Sequence, residues 1–442
     1  MRTLLVGFSF LALPAHWALA QDLQQVYRDA KGYDAQYAAA RQALRAGLEK
    51  LPQGRALILP TLNLSANATN TRIETDPHNS SVAPSTVRDG RSYGDSLSFS
   101  QPVYRRQNNL QYNQAEFQVK QAESTFGQAG QDLIVRVAQA YFDVLAAQDT
   151  LALVQAQKAA IGEQLAQAKR NFEVGTATIT DTHEAQARFD LSSSQEIAAQ
   201  SDLETKRRAL QQITGKEYTA LKPLRAQVRL TPPNPASMQS WVEIAEKQGY
   251  PVQIQESATE IASLEAKRTA AGHHPTVDLV ASYGWTSQTA SQLSAISSNV
   301  TNGTFGLQLG LPLYQGGGIS SREREAAALY EKSKQDLENV RRSQALTARQ
   351  SYLSVTNGIA QVGALEQALV SSQSALDSNK LGYEVGVRIN IDVLNAQQQL
   401  FSTRRDLAVA RYNTITNHLK LKAAAGSLRE EDLEEVNRAL EP

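Results

Sequence analysis

The segment Phe172-Glu173-Val174-Gly175, with Asp181 and Ala185-Gln186 after it, occurs a second time as Tyr383-Glu384-Val385-Gly386, with Asp392 and Ala396-Gln397 after it. Each pair is 211 positions apart. The same spacing pairs Gln139-Ala140-Tyr141 with Gln350-Ser351-Tyr352, and Gly215 with Gly426. Upstream the spacing drifts. Pro102-Val103-Tyr104 matches Pro312-Leu313-Tyr314, Pro60-Thr61 matches Pro275-Thr276, and Gly32-Tyr33 matches Gly249-Tyr250. An ordered series with a slowly drifting offset is what duplication and later small insertions leave. The chain is predicted to be one architecture built from two similar halves.

Each half reads in the same order: helix, strand, polar loop, strand, very long helix, tight turn, helix. The expected strands lie at about 60–69 and 93–104, and again at about 275–286 and 303–314. Leu62, Leu64, Ala66 and Ala68 alternate with Asn63, Ser65, Asn67 and Thr69. Leu97, Phe99 and Val103 alternate with serines. Val277, Leu279, Ala281, Tyr283 and Trp285 share one parity, and Phe305, Leu307, Leu309, Leu311 and Leu313 share another. Strict period-two alternation gives a strand one apolar and one wet face. The length suits a bilayer crossing, and Tyr283 and Trp285 suit either an interfacial girdle or a plain strand face. The intervening stretches, roughly 70–92 and 286–302, are polar and read as loops. Four strands cannot close a barrel, and open edges in lipid leave costly unpaired backbone groups. Several chains are therefore expected to share one barrel: two would give eight strands and three would give twelve.

The helices are longer than any globular core requires. Residues 104–172 contain no proline and span roughly 100 Å at 1.5 Å per residue. Val137, Val144, Leu151, Leu165 and Phe172 share one heptad register, and Leu394, Phe401, Ala408 and Ile415 another. Such repeats predict helices packed along coiled-coil seams. The partner helices, about 22–57 and 182–215, are each near half that length. Alanine and glutamine make up about a quarter of the chain, which favours close packing and high helix propensity.

The chain has 442 residues, zero formal net charge and no cysteine. Cysteine chemistry, disulfides and a cysteine-borne lipid anchor are excluded. Balanced charge argues against a nucleic-acid partner. Met1-Arg2-Thr3, the apolar run to Leu13 and Ala18-Leu19-Ala20 read as a signal peptide, 1–20. No window is apolar enough for a transmembrane helix.

The turns at 174–181 and 385–392 carry the candidate site. Gly175 and Gly386 suit left-handed C-caps, and Asp181 and Asp392 suit N-caps, Asp181 with Glu184 as a capping box. Together with Leu311-Pro312-Leu313-Tyr314-Gln315-Gly316-Gly317, Gln212-Ile213-Thr214-Gly215 and the duplication, the tips make the chain resemble the TolC family. These are outer-membrane channel proteins that serve as exit ducts of multidrug efflux pumps and type I secretion systems. The resemblance covers nearly all of the mature chain. It implies a homotrimer with four strands per chain in a twelve-stranded transmembrane β-barrel. Below it a periplasmic α-helical barrel of coiled-coil helices would follow, girdled by an equatorial domain from 216–238 and 427–442. The repeats would be 21–215 and 239–426.

The resemblance also implies a gate at the periplasmic end. Arg388 would bond to Thr180 and Asp181, and Tyr383 to Asp181; opening would untwist the second hairpin. Asp392 would form an anionic pore ring, and a second carboxylate ring is replaced by Asn395. Like charges about 8 Å apart repel by roughly 2 kcal/mol at an effective dielectric near 20. Cation block should be weaker than with two rings. Val174, Gly175, Val385 and Gly386 would be where a periplasmic adaptor (membrane fusion) protein docks, linking to an inner-membrane pump. Outer-membrane lipid would surround the barrel. Location in the outer membrane of a Gram-negative bacterium follows.

Other motifs carry little. His273 and His274 diverge, lack a carboxylate at helical spacing and precede a strand, so no metal site is expected. Gly316-Gly317-Gly318 lacks the Lys-Ser/Thr of a phosphate loop. No catalytic constellation is recognisable, and neither enzyme activity nor a cofactor is expected. The competing reading is a periplasmic coiled-coil adaptor or structural rod. The alternating strands and the repeat argue against it.

Overall fold

A computed structural model describes residues 20–77, 85–176, 178–225, 228, 230–289 and 296–441. The expected signal peptide lies outside the described residues except for Ala20. The chain divides into two compact units. One comprises residues 42–126 and 251–341; the other takes in the remainder.

The first of these holds a four-stranded antiparallel sheet in the order β1-β2-β3-β4. Its strands are β1 (Thr61–Thr75), β2 (Thr86–Tyr104), β3 (Thr276–Gln288) and β4 (Ser298–Gly310). The register sorts the side chains by face. Leu62, Phe99, Ala281 and Phe305 form one rung, and Leu64, Leu97, Tyr283 and Gly303 the next on the same face. Asn63, Ser98, Ser282 and Thr304 form a rung of the other face. There the hydroxyls of Ser65 and Ser96, and of Ser282 and Thr304, are paired at 2.8 and 2.6 Å. The apolar face is bare: Leu62, Leu64, Phe305, Leu307 and Leu309 are exposed.

At one end of the sheet the strands outrun the alternation that announces them; at the other, β4 stops at Gly310, short of the expected 314, and the alternating Leu311 and Leu313 lie beyond it. Pairing continues to Thr75 opposite Thr86 and to Gln288 opposite Ser298, through stretches expected as loops. Beyond the apolar band both faces meet water, so the hydrophobic period vanishes while backbone pairing persists. At the other end of the sheet the register slips between Pro102 and Tyr104. Beside that bulge Arg105 grips the buried Asp278 with two bonds, at 2.8 and 2.6 Å.

In the same unit, helices approach closely through small residues. Gly47 in α2 (Ala35–Leu48) faces Ala122, and Gly54 in α3 (Lys50–Ala56) faces Ala115; both alanines lie on α4 (Arg106–Glu173). A Cβ on Gly47 would stand 2.4 Å from that of Ala122.

The expected single helix over 22–57 is three, α1 (Leu23–Tyr33), α2 and α3. Asp34 leaves the helical region and its carboxylate accepts the Tyr37 N–H, which restarts the chain as α2. The second half breaks at the matching place: α6 (Met238–Gln248) gives way at Gly249 to α7 (Tyr250–Ala270).

The other unit contains the larger core. Leu133, Val137, Tyr141, Phe142 and Leu145 on α4 are buried against Leu23 and Val26 of α1 and Leu433 of α10 (Glu430–Arg438). The Tyr141 hydroxyl donates to the carbonyl oxygens of Gln21 and Lys222. Gln21 bridges to Leu221, and Leu224 to Leu440. Three distant stretches of sequence are thereby knitted around the middle of one helix. Also in this unit are α5 (Ile179–Thr214), part of α8 (Gly318–Glu384) and α9 (Asn390–Ala424).

Candidate functional site at the helix tips

The tips of α4 and α8 follow one design. Each helix ends at a glycine with φ +78°, Gly175 in one half and Gly386 in the other. The carbonyl of Asn171 accepts the Thr176 N–H, and that of Gly382 accepts the N–H groups of Val387 and Arg388. These bonds satisfy orphan carbonyls as left-handed caps do. The turns expose apolar side chains: Val174, Ile179, Val385, Val387 and Ile389 all face solvent.

The helices that follow start differently from expectation. Thr178, not Asp181, is the N-cap of α5. Asp181 is its capping-box partner: the carboxylate accepts from the Thr178 N–H at 3.0 Å and its hydroxyl at 2.8 Å, and the Asp181 N–H donates to Thr178 Oγ1. Two short polar residues three apart satisfy each other, so Glu184 is not needed. In the second half Ile389 is the N-cap and provides no side-chain bond, while Asp392 sits in the first turn of α9. A carboxylate there meets the positive end of the helix dipole.

The expected lock residues have other partners. Arg388 pairs with Asp392 one turn along its own segment, at 3.6 Å. It lies over Gly382, where a Cβ would stand 2.7 Å from Arg388 Cγ. Thr180 is exposed, and the Asp181 carboxylate is taken by Thr178. The Tyr383 hydroxyl accepts from Asn171 Nδ2 at 3.3 Å, tying α8 to α4. Among the described residues no hydrogen bond or ion pair joins Arg388 or Tyr383 to Asp181. The physical reason is proximity: each carboxylate is satisfied within its own turn.

The two positions expected to ring the pore are also accompanied. Asp392 faces Arg388, and Asn395 accepts from Arg188 Nη2 at 2.9 Å. Sequence reasoning missed Arg188, Asn171 and Thr178. Arg188 had a signal: it follows Asp181 by one heptad and shares its helix face.

Beneath this surface the α9 packing is mixed. Val393 and Leu400 pack with Leu376 of α8, and Leu394 with Ile161, Leu165 and Ala185. Interleaved with them, Asn390 (2% exposed) and Gln397 (4% exposed) are buried. Asn390 Nδ2 and Gln397 Oε1 have no hydrogen-bond partner among the described residues.

Elsewhere, His273 Nε2 is 3.8 Å from Glu323, while His274 Nδ1 is 3.5 Å from the Tyr104 hydroxyl. The two rings serve different neighbours. Gly316 and Gly317 have positive φ and lead into α8 at Gly318.

The profile of the outer membrane efflux protein family matches residues 26–216 and 252–427. The chain is 33% identical to outer membrane protein TolC of Vibrio cholerae, over 100% of this chain and 99% of that protein. It is 32% identical to the alkaline protease secretion protein AprF of Pseudomonas aeruginosa, over 99% and 90% of the respective lengths. The fold is similar to the crystal structure of the outer membrane protein VceC of Vibrio cholerae, with a TM-score of 0.76 and 18% identity, covering 91% of this chain and 96% of that one.

Proposed function

The chain belongs to the outer membrane efflux protein family, and from that premise we propose that three copies assemble into one duct whose inner end is opened and closed by the second hairpin. The protein is an outer-membrane exit duct of the kind used in efflux and type I secretion. It works with an adaptor and an inner-membrane partner in a tripartite system.

The observation that carries the trimer is the sheet. Its apolar face runs from Val277 to Trp285 on β3, about nine residues, the length of a tilted transmembrane strand, with Leu309, Leu307 and Phe305 exposed opposite it on β4. On that face Tyr93 and Trp285 lie toward the far end, as interfacial aromatics do. β1 and β4 are the outer strands of the sheet. In lipid their outward backbone groups need partners, and a neighbouring copy can provide them. Three copies give twelve strands and a lumen wider than side chains can fill. An adaptor has no use for such a sheet.

The closed state of the gate would bring Arg388 to Thr180 and Asp181, and Tyr383 to Asp181. Within the single chain each of these charges is satisfied locally, Arg388 by Asp392 and Asp181 by Thr178. Asp392 lines the constriction, its charge partly offset by Arg388. The exposed Val174–Gly175 and Val385–Gly386 turns receive the adaptor.

The test is fractionation. A trimer in outer membranes that dissociates only on heating supports the reading. A soluble periplasmic monomer overturns it.

A further inference from the structure

We propose that Arg188 is a second tether on the inner helix, holding α9 to α5 and setting how readily the duct opens. The proposal rests on the gating reading and adds to it a residue outside the tip turns.

Arg188 Nη1 donates to Gln398 Oε1 at 2.6 Å, and Nη2 to Asn395 Oδ1 at 2.9 Å. Asn395 and Gln398 are three residues apart and so share one face of α9. The guanidinium fork spans both acceptors at once. Its geometry is fixed, so two bonds on one partner helix define the distance and the rotation of that helix.

The contact is one-sided. At the repeat spacing of 211 the counterpart of Arg188 is Gln399, which donates to Thr403 within its own helix. If the bond served only the packing of a repeated hairpin, both halves would have use for it. It occurs where α5 of the first half meets α9 of the second. The packing behind it is incomplete. A small recess lined by Gln157, Ile161, Leu191 and Leu394 lies under Arg188. Ser192 also lines it, and its buried Oγ has no partner among the described residues.

The choice of Asn395 then has a physical meaning. A neutral amide gives Arg188 an ordinary acceptor, which a moving helix can release. A carboxylate there would make a charge-assisted pair, roughly twice as strong. Asn395→Asp should therefore tighten the tether, and should add little free negative charge to the constriction while Arg188 is present.

The experiment measures single-channel conductance of purified trimers in planar bilayers, with and without Mg²⁺ on the tip side. The variants are Arg188→Ala, Arg188→Lys, Asn395→Asp, the double variant Arg188→Ala with Asn395→Asp, and Arg388→Ser as reference. Both bonds are solvent-exposed and therefore screened, so losing them should raise the open population by about tenfold. Arg188→Ala should show this, Arg188→Lys should restore part of the closure, and Asn395→Asp should fall below wild type. The double variant should open like Arg188→Ala and show stronger Mg²⁺ block than Asn395→Asp. All variants should remain heat-dissociable trimers. If Arg388→Ser opens the duct and Arg188→Ala does not, the tether is wrong and the gate reading stands. If neither changes conductance, the gate reading fails and takes the tether with it. Asn395→Asp opening the duct would also overturn the tether, and that variant keeps the side-chain volume, so misfolding cannot mimic it.

Discussion

Arg136 of α4 holds Asp34 with a fork of two hydrogen bonds, Nη1 to Oδ2 at 2.9 Å and Nη2 to Oδ1 at 3.0 Å, at the point where α1 ends and α2 begins. Asp34 is 6% exposed and also caps α2 through Tyr37. Removing it loses a cap and leaves a half-buried guanidinium unpaired. Asp34→Ala should cost about 3 kcal/mol of stability, from the cap and the broken ion pair together. The melting temperature of the assembled protein measures it, and an unchanged value would show that the fork adds nothing. The Arg136 hydrogen bonds hold the Asp34 carboxyl below its ordinary value of 3.8. The folded state thus binds this proton later than the unfolded chain. Its contribution is present above about pH 4 and is lost as pH falls below that.

His418 gives a second pH dependence in a milder window. It lies in a groove of the same unit with Lys422, Asp432 and Glu435. Burial, reinforced by Lys422, holds its imidazole below the ordinary 6.5, against the opposing pull of Glu435 and Asp432. As pH falls through 6.5 the unfolded chain takes the proton first. Stability then falls with falling pH until the folded imidazole is protonated too. His418→Gln removes this slope. The loss in melting temperature between pH 7.5 and 5.5 should be larger for wild type than for the variant, and equal losses would refute the assignment. Asp149, raised by burial, acts in both proteins alike and cancels from the comparison.

Gln397 sits between Val393 and Leu400 on the face of α9 that meets Leu376. Its Oε1 is buried without a partner among the described residues. An unmade bond of this kind costs about 1–3 kcal/mol, and leucine has similar volume and no polar atoms. Gln397→Leu should stabilise the α8–α9 hairpin by about 1 kcal/mol. If that hairpin must loosen to open the duct, the variant should also export more slowly. Hydrogen exchange of the α9 amides gives the first effect. Faster exchange than wild type would mean that the amide has a role that the packing does not reveal.

The parts of the fold that follow from local chemistry were legible in the sequence. Alternation around Leu62 and Leu307 placed four strands, and Gly175 and Gly386 placed the tips. Strand length was not legible, because Thr71 to Thr75 and Thr86 to Gly90 lie where both faces are wet and no period remains. Nor was the cap: Thr178 and Asp181 are both good candidates, and only the backbone shows which one precedes the helix. The site partners were hardest. Arg388 to Asp392 is a bond at helical spacing, but the meeting of Arg188 with Asn395 depends on how two distant helices are packed. A single sequence reports that packing only through its heptads.

The tip glycines supply the last prediction. Gly175 and Gly386 both have φ +78°, a conformation that costs an L-residue roughly 1–2 kcal/mol. Around each, nothing among the described residues lies within 4 Å of an added Cβ. Substitution is therefore strained in the backbone but meets no clash inside the chain. The core around Tyr141 and Leu433 is separate from the turns. Gly386→Trp should leave the trimer assembled and its melting temperature within a few degrees of wild type. Export should fail, because a bulky side chain would stand where the adaptor is proposed to approach. Drug susceptibility of cells, read beside a gel of unboiled membranes, separates the two effects. Loss of the trimer band would mean that the turn belongs to the structural core, and normal export would mean that the adaptor docks elsewhere.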